Sequence, residues 1–285
     1  MTTRCEIVNT YEILEHVMGI SGLHPHRLDT VRNMRLKLSQ HLNAATFDAD
    51  CVVVDIGCGS GVGTFELARM LNSNQRVIGL DINQHAIATA QQTYVAQTNL
   101  SFYYGDLGSL LVTYPNLKIS AAICISVSMF IQDVAGFYQH IYQALTEGGI
   151  FIDAPFMFRD TKKSAAERFQ QKTYAVCGCN MRMFHASQVK AVLQDAGFST
   201  VNCIEHDFDL MKLPILFGDY PARYLLGNFF RNVMSPPKHF GNISSRYLFR
   251  RTLKIFVFFL KHRQKYAAGE FGAVKRHKQA VQQGE

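Results

Sequence analysis

CVVVDIGCGSGVGTFELA, residues 51–68, decides the fold. An apolar run, residues 52–54, ends in Asp55 and then breaks into Gly57, Gly59, Gly61 and Gly63, with helix-forming residues 65–71 directly behind. An apolar run bounded by a glycine turn has the pattern of a buried parallel strand. The glycines permit a sharp turn and bring bare backbone close to a ligand, and the helix behind them opens with unpaired N–H groups. The stretch therefore predicts a strand, a nucleotide-type binding turn and a helix. It lacks the Gly-Lys-Ser/Thr of a phosphate loop. Read from Gly57, the dinucleotide spacing GxGxxG meets Gly57, Gly59 and Val62, so the last glycine is missing. Asp55, two residues ahead of the first glycine, is a poor neighbour for a pyrophosphate and suits a cationic or hydrogen-bond-donating ligand.

Working outward, the chain repeats this design. Residues 75–82, QRVIGLDI, read as a second strand ending in Asp81. An acid about 20 residues beyond a glycine turn stands at the tip of the neighbouring parallel strand, where it can accept both hydroxyl protons of a ribose. Capping of the following helix, residues 85–94, is the plainer role for the same acid. A third strand, residues 100–104, runs into Gly105-Asp106-Leu107. A fourth, residues 119–127, ends at Ser126-Val127-Ser128. A helix (134–145), the turn Glu147-Gly148-Gly149 and a fifth strand (150–155) follow. SQVKAVLQDAGF, residues 187–198, is an amphipathic helix with its closing turn, ahead of a strand over 200–206.

These residues resemble the class I S-adenosylmethionine-dependent methyltransferases, whose first motif is an acidic residue followed by xGxGxG, here Asp55 to Gly61. The resemblance covers about residues 50–206. It implies a turn of Asp55, Gly57, Cys58, Gly59 and Gly61 around S-adenosyl-L-methionine, with Asp81 on the ribose and Ile82 over one face of the adenine. By the same resemblance Gly105, Asp106 and Leu107 form the third motif, whose acid takes the adenine amino group, and Ser126 opens the fourth. That fourth motif, Ser126-Val127-Ser128-Met129, has neither the Asn/Asp-Pro-Pro-Tyr/Phe of base amino-group methylation nor a Pro-Cys or Thr-Cys nucleophile. Nucleic acid is therefore a disfavoured acceptor. SGLHPHRLDT, residues 21–30, resembles the Leu-His-Pro turn of some small-molecule members, with His26-Arg27 in place of the usual Gly-Gly.

The 285 residues include 48% hydrophobic ones, ample for a large α/β core. No apolar run reaches the length of a membrane span, and residues 1–16 carry no signal-peptide core. Seven scattered cysteines suit a reducing cytosol. Cys177-Gly178-Cys179 lacks the second pair that a zinc site needs, so no metal is expected. His185, ahead of the 187–198 helix, and Asp133, ahead of the 134–145 helix, are the candidate general bases. A capping role competes for His185.

The net charge of +7 is unevenly placed. Residues 209–285 hold 14 of the 29 Lys and Arg but 4 of the 22 Asp and Glu. Within them SRYLFRRTLKIFVFFLKHRQK, residues 245–265, sets Arg246, Arg250, Lys254, Lys261 and Lys265 at steps of four or seven beside a broad apolar face. Such a segment fits a helix lying on an anionic membrane. Alternatively, residues 254–260 form the last strand of the sheet.

The expected architecture is α/β: a Rossmann-like, seven-stranded, mostly parallel sheet with helices on both faces and an antiparallel last strand. Residues 1–48 are expected as an N-terminal helical cap and 49–207 as the S-adenosylmethionine-binding core. Residues 208–285 form a basic, aromatic helical extension that could supply the last strand. The expected activity is methyl transfer to an O, N or C atom of a small, apolar or lipid-like acceptor, in the cytoplasm, with peripheral contact to an anionic membrane. An RNA methyltransferase using the basic region, or a non-catalytic relative that keeps the cofactor site, are the alternatives.

Overall fold

The computed structural model describes residues 52–71, 74–159, 163–177, 182, 184–207, 245–261 and 266–275. The expected cap over 1–48 and most of the Cys177–Cys179 cluster lie outside these residues. The strands are β1 (Val52–Ile56), β2 (Arg76–Asp81), β3 (Leu100–Tyr104), β4 (Ile119–Ile125), β5 (Leu145–Ala154), β6 (Phe156–Phe158), β7 (Thr200–Asp207) and β8 (Tyr266–Val274). The helices between them are α1 (Val62–Ala68), α2 (Gln84–Thr93), α3 (Leu107–Thr113), α4 (Val134–Ala144), α5 (Lys163–Cys177), α6 (Ala186–Asp195) and α7 (Ser245–Lys261).

One sheet runs β3-β2-β1-β4-β5-β8, with β6 and β7 also paired to β8. Strands β1 to β5 pair in parallel, and β8 is antiparallel to β5, β6 and β7. Against β8, Ile150 pairs with Val274, Asp153 with Phe271, Phe156 with Ala268 and Phe158 with Tyr266, one unbroken register. Thus β6 is β5 continued, interrupted where Pro155 has no N–H to give the ladder. The sheet is seven strands wide, as expected.

Every residue of β1 and β4 is buried, because helices cover both faces of the sheet. Val54, Ile56, Cys124 and Phe151 pack against Leu110 of α3, Tyr138 and Ile141 of α4, and Val189 and Leu193 of α6. Val53, Val77, Ile123 and Ile152 pack on the other face with Leu67 and Ala68 of α1. Short polar side chains start the helices: Asn83 accepts from the His85 and Ala86 N–H groups, and Asp106 closes a capping box with Ser109.

The C-terminal quarter corrects one alternative. Residues 254–260 are not the last strand; they belong to α7, and the last strand is β8, further along the chain. An apolar run of that length fits either element, and the basic residues at helical steps around it are what favour the helix. The strand itself lay in a run of small residues, AAGEFGAV, that carries little apolar signal.

Candidate functional site

The order β3-β2-β1-β4 reverses direction between β1 and β4, so the helices after these two strands leave on opposite faces and open a crevice at the strand ends. In open α/β sheets this switch point is where ligands bind. The turn after β1 occupies it. Gly57, Gly59 and Gly61 take φ values of 75°, 57° and 86°, a left-handed path that glycine follows without penalty. The Gly57 and Cys58 N–H groups donate to Leu80 O at 2.7 and 2.9 Å, which folds the turn back across β2. A Cβ on Gly57 would come within 2.2 Å of Val127 Cγ2, and one on Gly61 within 2.5 Å of the Phe102 ring. Bare backbone is what fits there.

The three strand-end acids have different settings. Asp55 is buried, and its Oδ2 accepts from Thr64 Oγ1 at 2.6 Å, so it ties the first turn of α1 to the end of β1. Asp81 is half-buried at the rim; its Oδ2 accepts from Gly59 N and its Oδ1 from Asn83 N, both at 2.8 Å. Each carboxylate oxygen has capacity for a second donor. Asp106 is exposed and caps α3, accepting from Ser109 N at 2.9 Å. Gly105 N donates to Asp81 O at 2.9 Å, which brings the third turn against the second. Ile82 is half-buried beside Asp81, whereas the side chains of Cys58 and Leu107 are buried and leave their backbone as the part a ligand could meet.

Ser126, at the end of β4, is the non-glycine residue with positive φ among the described residues, at 58°. An L-residue held there costs about 1–3 kcal/mol and marks sites where the backbone is kept in place by its surroundings. Ser126 N donates to Ala154 O at 2.9 Å, and Arg182 N to Met129 O at 2.7 Å. The segment leading to α6 therefore crosses the loop after β4. It goes on to pair with β6, Phe158 N donating to Phe184 O at 2.8 Å.

Both candidate bases stand at helix starts. Asp133 Oδ1 accepts from Gly136 N at 3.0 Å and caps α4. His185 caps α6: its Nδ1 lies 3.3 Å from Ser187 N and 2.8 Å from Ser187 Oγ, while its own N–H donates to Gln188 Oε1 at 2.9 Å. His185 is on the strand-end side of the sheet, one residue beyond the Phe184 bridge to Met157.

A polar group in the core was not expected. Asp153, fully buried on β5, sits beside Cys124 of β4 in the ladder and accepts a short hydrogen bond from the Tyr138 hydroxyl of α4. Its Oδ1 and the buried Ser128 Oγ complete no hydrogen bond. Burial pushes the Asp153 carboxyl up to about 6, a rise that the hydrogen bond from Tyr138 moderates. Burial and the neighbouring carboxylate also push the Tyr138 phenol and the Cys124 thiol up. The signal was the lone acid inside the apolar run of β5, an arrangement that demands a partner.

The arrangement can hold a ligand's polar rim along the ends of β1, β2 and β3, and leaves a strained loop after β4 to face whatever lies beside it. Known proteins share this build. The sterol 24-C-methyltransferase of Saccharomyces cerevisiae is 28% identical over 191 residues, 64% of this chain and 49% of the yeast protein. The chain thus spans about half the length of the curated relatives it matches. A solved SAM-dependent methyltransferase from Geobacter sulfurreducens, in complex with S-adenosyl-L-homocysteine, superposes with a TM-score of 0.64 at 16% identity over 93% of this chain and 98% of that one. The cyclopropane synthase MmaA2 of Mycobacterium tuberculosis superposes with a TM-score of 0.59 at 13% identity over 84% of this chain and 83% of that one. Residues 47–209, which carry the glycine turn, the strand-end acids and the loop after β4, match the family model described as a methyltransferase domain, and the chain belongs to that family.

Proposed function

We propose that this protein transfers a methyl group from S-adenosyl-L-methionine to an O, N or C atom of a small, lipid-like acceptor. The observation that carries the reading is the glycine turn at the switch point, flanked by acids at three successive strand ends. The residues present fit the group. Positions Gly57 and Gly61 have no room for a Cβ, and Asp81 keeps acceptor capacity toward the crevice. Asp81 would take the ribose hydroxyls, Ile82 and the Gly105–Leu107 backbone would border the adenine, and Gly57–Gly61 would line the amino-acid part. Asp55 acts behind the turn, through Thr64, and holds it in shape. When bound, the group supplies a methyl already activated by its sulfonium. What this chain must add is alignment of the acceptor and exclusion of water. The loop from Ser126 to Phe130 and the segment carrying His185 border the acceptor side, and His185 and Asp133 are the candidate bases.

The lipid-like acceptor is supported by the similarity to the yeast sterol methyltransferase and by the absence of nucleic-acid motifs after β4. We place the activity in the cytoplasm, at the surface of an anionic membrane. Isothermal calorimetry with S-adenosyl-L-methionine and S-adenosyl-L-homocysteine, followed by incubation of methyl-labelled S-adenosyl-L-methionine with total lipid and with total RNA, tests the reading. One binding site per chain and label in the lipid fraction are expected. Label in RNA overturns the acceptor, and no heat with either compound overturns the whole assignment.

A further inference from the structure

α7 presents two unlike faces. At 3.6 residues per turn, Arg246, Tyr247, Arg250, Leu253, Lys254, Val257 and Lys261 fall within an arc of about 120°. All seven are exposed, Tyr247, Leu253 and Val257 at 49%, 45% and 52%. The helix contains no acidic residue, and none of its four exposed cations forms an ion pair within the described residues. On its protein side, Phe258 stacks on the buried Phe169 of α5 at 5.6 Å between ring centres, and Phe169 stacks on Phe158 of β6 at 5.1 Å. Part of the helix's aromatic content is thus spent in anchoring it to the sheet.

Topology places this arc. β8 runs antiparallel to β5, and its first residue, Tyr266, pairs with Phe158, beyond the end of β5. α7 ends at Lys261, only five residues earlier, so its C-terminus lies at the edge of the sheet where β1, β2 and β4 also end. That is the edge of the glycine turn, Asp81 and Ser126.

We propose that the outward arc of α7 docks on the surface of an anionic phospholipid bilayer and turns this edge of the sheet toward the membrane, which, on the lipid-acceptor reading above, is where the acceptor would come from. Charge complementarity selects an anionic partner. The position of Leu253 at one edge of the basic arc, and of Val257 between Arg246 and Arg250, selects a lipid surface over RNA. Phosphate tracking takes place in water, whereas aliphatic side chains flanked by Lys and Arg bury themselves at the boundary between headgroups and acyl chains.

The test uses the full chain and sedimentation with vesicles of phosphatidylcholine alone or with phosphatidylglycerol. Binding only to the anionic vesicles, weakening as salt rises, is expected. Arg250→Glu with Lys254→Glu should lower the bound-to-free ratio more than 10-fold, because each basic residue adds a separate attraction to the surface. Leu253→Ser with Val257→Ser keeps the charge and should also weaken vesicle binding. All four positions are exposed, and calorimetry with S-adenosyl-L-homocysteine reports whether each variant is folded. The proposal is overturned if the wild type ignores anionic vesicles, if the Leu253 and Val257 changes leave vesicle binding unaltered, or if the arc retains RNA and not vesicles. Vesicle binding without methyl transfer would keep the docking surface and remove the lipid-acceptor reading, so the two fail separately.

Discussion

The two halves of the sheet keep their carboxylates in opposite ways. In the half built from β1, β2 and β3, the acids stand at strand ends, and Asp81 at the rim accepts from the Gly59 and Asn83 N–H groups. In the half built from β4, β5 and β8, Asp153 lies inside the core with a phenol as its partner and one oxygen unsatisfied. The first arrangement leaves acceptor oxygens at a rim that a ligand can reach. In the second, burial makes the carboxyl hold its proton more tightly than a free one does. One half carries its acids at the strand ends, and the other buries one in the core.

The sharpest break of this comparison is at the turn itself. Gly57→Val introduces a Cβ against Val127 at a φ of 75°, combining backbone strain with overpacking. Together these should cost about 3 kcal/mol or more. Thermal unfolding together with calorimetry should show a lowered Tm and no measurable S-adenosyl-L-homocysteine binding. Wild-type affinity in this variant would mean the turn does not cradle the ligand.

Next in size is the pH dependence of the other half. Asp153 is raised to about 6 in the fold from 3.8, so the folded state holds a proton that the unfolded chain has released. Its stabilising share is present below the unfolded value and is lost as pH rises through 6. The loss amounts to roughly 3 kcal/mol. Urea unfolding between pH 4 and 7 should show that decline in the wild type, over and above other titrations, and a flatter profile in Asp153→Asn. Parallel profiles would show that Asp153 is ionised in the fold.

Asp81→Ala tests the rim acid. Loss of charge-assisted hydrogen bonds should weaken cofactor binding by about 1.5–3 kcal/mol in calorimetry, with the fold retained. Unchanged affinity would reduce Asp81 to a brace for Gly59 and Asn83.

The smallest expected effect separates a cap from a base at His185. His185→Ala should lower stability by about 1 kcal/mol, the usual worth of a helix cap, and His185→Asn should restore most of it. If His185 also moves a proton, His185→Asn will be stable yet lose about 100-fold or more in kcat. Equal activity in the wild type and the Asn variant would leave His185 as a cap alone.

How legible each half was follows from where its partners lie in the chain. Asp55, Asp81 and Asp106 could be read because each ends an apolar run and is followed at once by a turn and a helix, all local signals. The Asp153–Tyr138 pair joins residues on different elements, and nothing in the spacing between a helix and the following strand says that two side chains meet. His185 and Asp133 show the converse limit. A histidine or an acid ahead of a helix has the same appearance in sequence whether it caps or catalyses, and here the structure shows both capping. β8 was the hardest to place, since its neighbours β5 and β7 both precede it by many residues. Its run of Ala and Gly gains strand character only from being held between them.

That position of β8 also sets an order of events during synthesis. The strand that joins β5 to β7 is the last of the eight to leave the ribosome, so for the time it takes to make residues 208–265 both neighbours present an open edge. Unpaired edges of this kind recruit other chains. A protein cut after Lys261 would keep the whole glycine turn and every strand-end acid, and would still be left with a divided sheet and two adhesive edges.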